Sequence, residues 1–98
     1  MSEVAAAMSR PTVTVSLPPV LMRLFPGSPR QVELAAATVG ELVDALNARW
    51  PGMRDRLCDS RPSIRRHVNI FVAGTRATLA TPLSPGSEVI VMTAISGG

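Results

Sequence analysis

Alternating apolar and polar positions predict two strands near the start of the chain. Residues 12–17 read Thr-Val-Thr-Val-Ser-Leu, which places Val13 and Val15 on one face of a strand. Residues 30–34 alternate in the same way. The residues between them, 18–29, begin with two prolines and contain a Pro-Gly-Ser-Pro turn, so they are predicted to form a loop. The two segments together predict a hairpin with a long connection.

A helical pattern follows the hairpin and ends at a Pro-Gly pair. Thr38 and Glu41 have the spacing of a capping box. The apolar positions behind this cap recur at intervals of three and four residues, which predicts one buried stripe on a helix. They are Val39, Leu42, Val43, Leu46 and Trp50. Pro51-Gly52 stops the helix, and residues 53–58 are predicted to add a short helical turn.

The second half of the chain predicts further strands separated by turns. Residues 66–72 alternate, with three aliphatic residues on one face and Phe71 on the other. A turn and a short strand segment, residues 73–79, come next, and residues 81–87 form a second turn-rich connection. Residues 88–95 are almost continuously apolar, which is typical of a central strand covered on at least part of both faces.

The order of elements predicts an α+β fold with a mixed sheet of four to five strands packed on one main helix. The first and last strands carry the strongest apolar signal and are predicted to be central. A chain of 98 residues with 46% hydrophobic content is large enough for one core, and its scarcity of aromatic residues makes that core aliphatic. We therefore expect a disordered lead at 1–11, a folded domain at 12–95 and a flexible tail at 96–98.

The residue inventory excludes several classes of active site. The only cysteine is Cys58 and the only histidine is His67, so neither an internal disulfide nor a metal-ligand cluster is expected. All ten basic residues are arginine, which removes the lysine of a Schiff base or a phosphate loop. We expect no enzyme activity of its own and no bound cofactor or metal. The single cysteine, with no signal-peptide core and no membrane-length apolar run, predicts a cytoplasmic protein.

Charge and the isolated reactive residues give weaker indications. The net charge is +3, but the arginines are scattered and no aromatic residues interleave with them, so nucleic-acid binding is not expected. Arg65-Arg66 is either a solvated pair or a docking point for an acidic partner. Cys58 is predicted to pack as a small hydrophobic residue, with a persulfide relay as the alternative. His67 is predicted to be a packing or surface residue.

The most informative chemical feature is the end of the chain, Ser96-Gly97-Gly98. An arm that ends in two glycines has no side chains near its carboxylate, so another protein can thread it into a narrow active site.

Three stretches carry a resemblance to a known family. They are residues 67–72 (His-Val-Asn-Ile-Phe-Val), residues 81–89 (Thr-Pro-Leu-Ser-Pro-Gly-Ser-Glu-Val) and residues 94–98 (Ala-Ile-Ser-Gly-Gly). With them, residues 12–98 resemble the ubiquitin-like β-grasp sulfur carriers, which include the small subunit of molybdopterin synthase and the carriers of thiamin and cysteine synthesis. The chain departs from the family pattern at Ser87, where an acidic residue is usual, and at Thr93, where proline is frequent.

The resemblance implies a function and a set of partners. It implies that a ubiquitin-activating-type adenylyltransferase uses ATP to activate the carboxylate of Gly98, which becomes a thiocarboxylate. Gly97, Ser96 and Ile95 would contact partners. The sulfur would go to a synthase that uses pyridoxal phosphate as its cofactor and makes cysteine or a related thio-metabolite. A metalloprotease would then release the product. Independently of the resemblance, the strand alternation predicts that Phe71, with Ile90 or Met92, forms an exposed apolar patch for a partner if the helix covers the other face.

Three other readings stay open. The first alternative is the small subunit of molybdopterin synthase, with the molybdopterin precursor held by the partner. The second is a ubiquitin-like modifier joined through Gly98 to lysines of other proteins. The third is a β-grasp interaction module whose tail has no role.

Overall fold

A computed structural model of the chain describes residues 10–60 and 63–93. Within these ranges it contains five strands and three helices. In chain order they are β1 (Thr12–Ser16), α1 (Pro19–Leu24), β2 (Gln31–Ala35), α2 (Val39–Arg49), α3 (Met53–Leu57), β3 (Val68–Val72), β4 (Thr75–Arg76) and β5 (Glu88–Thr93).

The strands form one mixed sheet in the order β2-β1-β5-β3-β4. β1 pairs antiparallel with β2 and parallel with β5, while β3 pairs antiparallel with both β5 and β4. β5 is therefore the middle strand and β1 lies beside it. The predicted α+β fold is confirmed, as is the interior position of the first and last strands.

The core lies between one face of the sheet and the main helix α2. Each long strand contributes alternate aliphatic residues to it, and all of them are buried. They are Val13 and Val15, Val32 and Leu34, Val68 and Ile70, and Val89 and Val91. The helix contributes the four residues of the predicted stripe that lie within α2, and Trp50 at its end packs partly against the same cluster. The predicted helix and its buried face are thus confirmed.

Backbone hydrogen bonds attach the start of α2 to the loop before β5. The hydroxyl of Thr38 accepts a hydrogen bond from the amide of Glu41 at 3.2 Å, as the capping-box spacing predicted. The amides of Val39 and Gly40, which have no partner inside the helix, donate to the carbonyls of Thr81 at 3.0 Å and Leu79 at 2.9 Å. The loop therefore supplies acceptors that a helix end otherwise lacks.

The prediction of a plain loop at residues 18–29 is wrong, because Pro19–Leu24 forms the helix α1. Pro19 occupies the first turn, where its fixed φ suits a helix and its missing N–H costs nothing. Leu21 is 2% exposed and ties this helix to the core. Six residues are too few for helical periodicity to appear in a sequence, which explains the error.

The short strand predicted within residues 73–79 is smaller in the structure. The turn between β3 and β4 consists of Ala73 and Gly74, which have positive φ values of 51° and 85° and suit a two-residue hairpin. β4 ends at Arg76, and the next residue, Ala77, is buried and makes one more backbone hydrogen bond to β3, from its amide to the carbonyl of Ile70 at 2.8 Å.

Candidate functional site

The tail leaves the sheet from the end of its middle strand. β5 ends at Thr93, which pairs with Val68 at the beginning of β3. The residues predicted to form the reactive tail and its base, Ile95, Ser96, Gly97 and Gly98, lie outside the described residues. The part of the site that the structure describes is the surface of the sheet next to the end of β5 at Thr93.

The face of the sheet turned away from α2 carries an apolar patch. Because Val89 and Val91 face the helix, their neighbours Ile90 and Met92 face the opposite way. Phe71 lies directly across from Ile90, so the three residues form one group, called the open-face patch below. Met92 is 50% exposed, and Phe71 and Ile90 are half-buried.

Polar residues border the open-face patch on both sides. Toward β1, Ile90 is opposite Ser16, and Glu88 is opposite Thr14. Toward β4, Phe71 is opposite Arg76. An exposed apolar centre with a polar border is typical of a protein-binding surface. The sequence singled out Phe71, but it could not assign Ile90 and Met92 to this face, because β5 is apolar on both sides.

Cys58 is a packing residue in the structure. It is 4% exposed, ends α3 and forms an isolated bridge with Ile64. Burial raises the pKa of its thiol, and the nearby Arg54 guanidinium opposes that shift only in part. A thiol with these properties is a poor nucleophile at neutral pH, so the geometry favours packing over a persulfide relay.

The accessibility of Cys58 is directly testable. We expect iodoacetamide to alkylate the folded protein at pH 7 at least about a hundredfold more slowly than the protein unfolded in guanidinium, because reaction requires opening of the core. The rate in the folded state should rise with pH as the thiolate forms. Intact mass spectrometry against time measures both rates. Rapid alkylation of the folded protein at pH 7 would instead support a reactive role for Cys58.

His67 is exposed and has no catalytic arrangement around it in the described structure. It lies with Arg56 and Arg65 around a surface cavity of about 590 Å³, whose apolar wall is Leu24 and Phe25. No hydrogen bond links its ring to a described residue. Across residues 10–60 and 63–93, no group of three His, Cys, Asp or Glu side chains is placed to hold a metal ion. No helix in those ranges has the length and apolar character needed to cross a membrane.

Comparison with protein families identifies relatives of the whole domain. The sequence profile described as the ThiS family matches residues 21–98. The sulfur carrier protein CysO of Mycobacterium tuberculosis is 34% identical over 92 residues, which span 88% of this chain and 98% of that protein.

Solved structures give the same result for the fold. A complex of BexX and CysO from Amycolatopsis orientalis contains a chain that superposes with a TM-score of 0.78 at 30% identity, covering 88% of this chain and 99% of its own. SAMP1 from Haloferax volcanii superposes with a TM-score of 0.75 at 28% identity, covering 89% of this chain and 99% of its own. Both share the sheet and main helix described above.

Proposed function

Since the chain belongs to the ThiS family, we propose that it is a sulfur carrier whose Gly98 carboxylate is the group that receives and donates sulfur. The observation that carries this proposal is the extent of the family match, which runs from residue 21 through residue 98 and so includes the terminal Gly97-Gly98. The middle position of β5 supports it, because a tail that continues the central strand starts from a firmly held point.

The proposed chemistry has two steps. A carboxylate is a poor electrophile because its charge is delocalised and its oxygens are poor leaving groups. Attack of the Gly98 carboxylate on the α-phosphate of ATP would form an acyl-adenylate and release pyrophosphate. Hydrosulfide would then attack the acyl carbon, the bond to AMP would break so that AMP leaves, and loss of the sulfur-bound proton would leave a thiocarboxylate.

This chain supplies the acceptor group, and the partner supplies the catalytic groups. Glycine at both final positions leaves the arm without β-carbons, so it can enter a channel too narrow for side chains. The described part of the chain offers no phosphate loop, and its glycines at turns are isolated from one another. ATP would accordingly bind to the activating enzyme, with the carrier acting as its co-substrate.

Intact mass spectrometry tests the proposal. The chain is incubated with ATP, a ubiquitin-activating-type adenylyltransferase and a sulfide source. We expect a mass gain equal to the replacement of one oxygen by sulfur, located on the C-terminal peptide after digestion. No gain with an enzyme that is active on its own carrier would contradict the proposal.

For the recipient of the sulfur we propose a synthase of cysteine or a related thio-metabolite. The similarity to CysO over nearly the full domain supports this choice. The thiocarboxylate would be the sulfur nucleophile, pyridoxal phosphate on the synthase would supply the activated acceptor, and a metalloprotease would hydrolyse the bond that then joins the product to Gly98. Purification of the carrier with a pyridoxal-phosphate enzyme would support this recipient, whereas purification with a molybdopterin synthase large subunit would support the alternative.

Protein modification is a second candidate, favoured by the similarity to SAMP1, a small archaeal modifier protein. In that case Gly98 would form an amide with lysines of other proteins. The chain contains no lysine, so it could not extend a chain of copies through its own ε-amino groups. Adducts of the carrier that survive thiol treatment would support modification over sulfur transfer.

Docking to the activating enzyme is proposed to use the open-face patch. The crystallised complex of BexX with CysO supports the idea that relatives act by docking to another protein. We expect Met92→Asp to lower kcat/KM for activation by about tenfold or more, because a charge would replace an apolar contact at the centre of the interface. Phe71→Ala should act in the same direction.

Thr12→Asp is the matched control for Met92→Asp. Thr12 is exposed and lies on the same face of the sheet, at the start of β1. Thr14 is opposite Glu88 in the parallel pairing with β5, so Thr12 lies at the other end of the sheet from Met92. The substitution introduces the same charge and should change kcat/KM less than about twofold. Equal effects of the two substitutions would show that general charge, and not the open-face patch, governs docking.

A further inference from the structure

A groove runs along the outer edge of β3, on the side of the sheet away from β5. Its volume is about 630 Å³. Ile64 and Leu79 are half-buried and supply the accessible apolar surface of its floor, while Val68, Ile70 and Ala77 lie buried beneath them. Three arginines, Arg65, Arg66 and Arg76, lie along it, and no carboxylate does. The groove therefore combines an apolar floor with a strongly positive rim.

The rim arginines are available to bind an anion. In the described ranges, the salt bridges are Arg10 with Glu41 and Arg54 with Asp44, so none of the three rim arginines is in an ion pair there. The Nε of Arg65 donates to the carbonyl of Asp55 at 2.7 Å, which fixes this side chain but leaves the other donors of its guanidinium.

The backbone of β3 also has unused hydrogen-bonding groups at this edge. The amide of Ala73 donates to the carbonyl of Glu88, so the backbone groups at position 73 point toward β5. Because successive residues of a strand point their N–H and C=O groups to opposite sides, those of Val68 and Ile70 point toward the groove. There, Ala77 donates to the carbonyl of Ile70 at 2.8 Å, and the amide of Val68 donates to Arg65. No described residue accepts a hydrogen bond from the amide of Ile70 or donates one to the carbonyl of Val68 at this edge, because β4 ends at Arg76.

We propose that this groove binds an extended, carboxylate-bearing peptide segment of a partner protein, which adds to the sheet at the edge of β3. The free N–H and C=O groups would pair with the backbone of the segment, and its apolar side chains would rest on the floor. Its carboxylates would form paired hydrogen bonds with the guanidinium groups. A single nucleic-acid strand fits the groove less well, because no aromatic residue lines it for base stacking.

This binding site is separate from the proposed role of Gly98. The open-face patch lies on one face of the sheet, whereas the groove floor consists of residues that belong to the core side. Arg76, at the edge of the sheet, is shared by the border of the patch and the rim of the groove, while Arg65 and Arg66 belong to the groove. The groove would operate equally in a carrier and in a modifier. A chain whose Gly98 is never activated would still bind the peptide, so the two proposals can fail independently.

Fluorescence anisotropy with a synthetic peptide tests the proposal. The probe is a labelled peptide of alternating glutamate and valine, and the comparison peptide replaces glutamate with lysine. We expect saturable binding of the acidic peptide, at least about tenfold tighter than that of the basic one. In amide exchange measured by NMR on the full chain, the Ile70 amide should become protected when the acidic peptide binds.

Charge reversals on the protein distinguish the groove from general electrostatics. Arg66→Glu and Arg76→Glu should each weaken binding by about tenfold, whereas Arg30→Glu, an exposed arginine at the far end of the sheet, should change it less than about twofold. N-methylation of alternate residues of the peptide, in each of the two registers, should weaken binding in one register only. Equal effects of all three reversals, an unchanged Ile70 amide, or displacement of the peptide by an oligothymidylate strand would overturn the proposal.

Discussion

Deletion of Gly98 is expected to abolish the gain of sulfur by the chain. An extended chain advances by about 3.5 Å per residue, so the deletion withdraws the carboxylate from the activating site by about that distance. A misplacement of about 1 Å can already cost about a hundredfold in rate. The thiocarboxylate product should therefore fall more than about a hundredfold, below detection by intact mass.

Two further variants make this test specific. Adding one alanine after Gly98 should have the same effect as the deletion, because it blocks the carboxylate of Gly98 and puts a side chain at the tip. Deletion of Ser2 removes one residue from the other end and should leave product formation unchanged. Unfolding curves for all three variants should coincide with that of the parent chain. Normal sulfur gain without Gly98 would refute the assignment of this site.

Leu46→Ala is expected to cause the largest loss of stability among single truncations in the main helix. Leu46 is fully buried, at 0% exposure, on the stripe of α2 that faces the sheet. Truncating a buried leucine costs about 2–5 kcal/mol because it removes apolar contacts and leaves a cavity. Small domains are stable by only about 5–15 kcal/mol, so the midpoint of thermal unfolding should fall by roughly 10–30 °C.

Leu24→Ala is the matched control for this truncation. The same change of side chain is made at the end of α1, where Leu24 is 44% exposed. The cost should be about 1 kcal/mol or less, because little buried contact is lost. Urea unfolding followed by circular dichroism measures both free energies. A loss at Leu46 no larger than that at Leu24 would contradict the described packing of α2 on the sheet.

The long elements of this fold could be predicted from the sequence because each has a clear period. The alternation around Val13 and Val15 and the helical stripe ending at Leu46 each bury one face, so the pattern and the burial coincide. The short helix α1 could not be predicted, since six residues cover less than two turns and Leu21 alone anchors it. Its formation depends on the core that the other elements build.

The site could be predicted only in part, for a different physical reason. A strand buried in the middle of a sheet is apolar on both faces, so the amino-acid sequence of β5 does not indicate which of its residues face the helix. The burial of Val89 and Val91 and the pairing of Phe71 with Ile90 show that Ile90 and Met92 join Phe71 on the open face. The groove along β3 could not be predicted, because it depends on where β4 ends and on tertiary structure that brings residues 63–66 and 76–80 to the same edge of the sheet.

The placement of β5 between two partners has a mechanical consequence. A partner that grips the residues after Thr93 and pulls would apply force along the axis of β5. The hydrogen bonds to β1 and β3 lie across that axis, so the load would be shared among them in shear. A strand pulled sideways from an edge would instead release its bonds one at a time. The domain is therefore arranged to withstand traction applied to the end of β5.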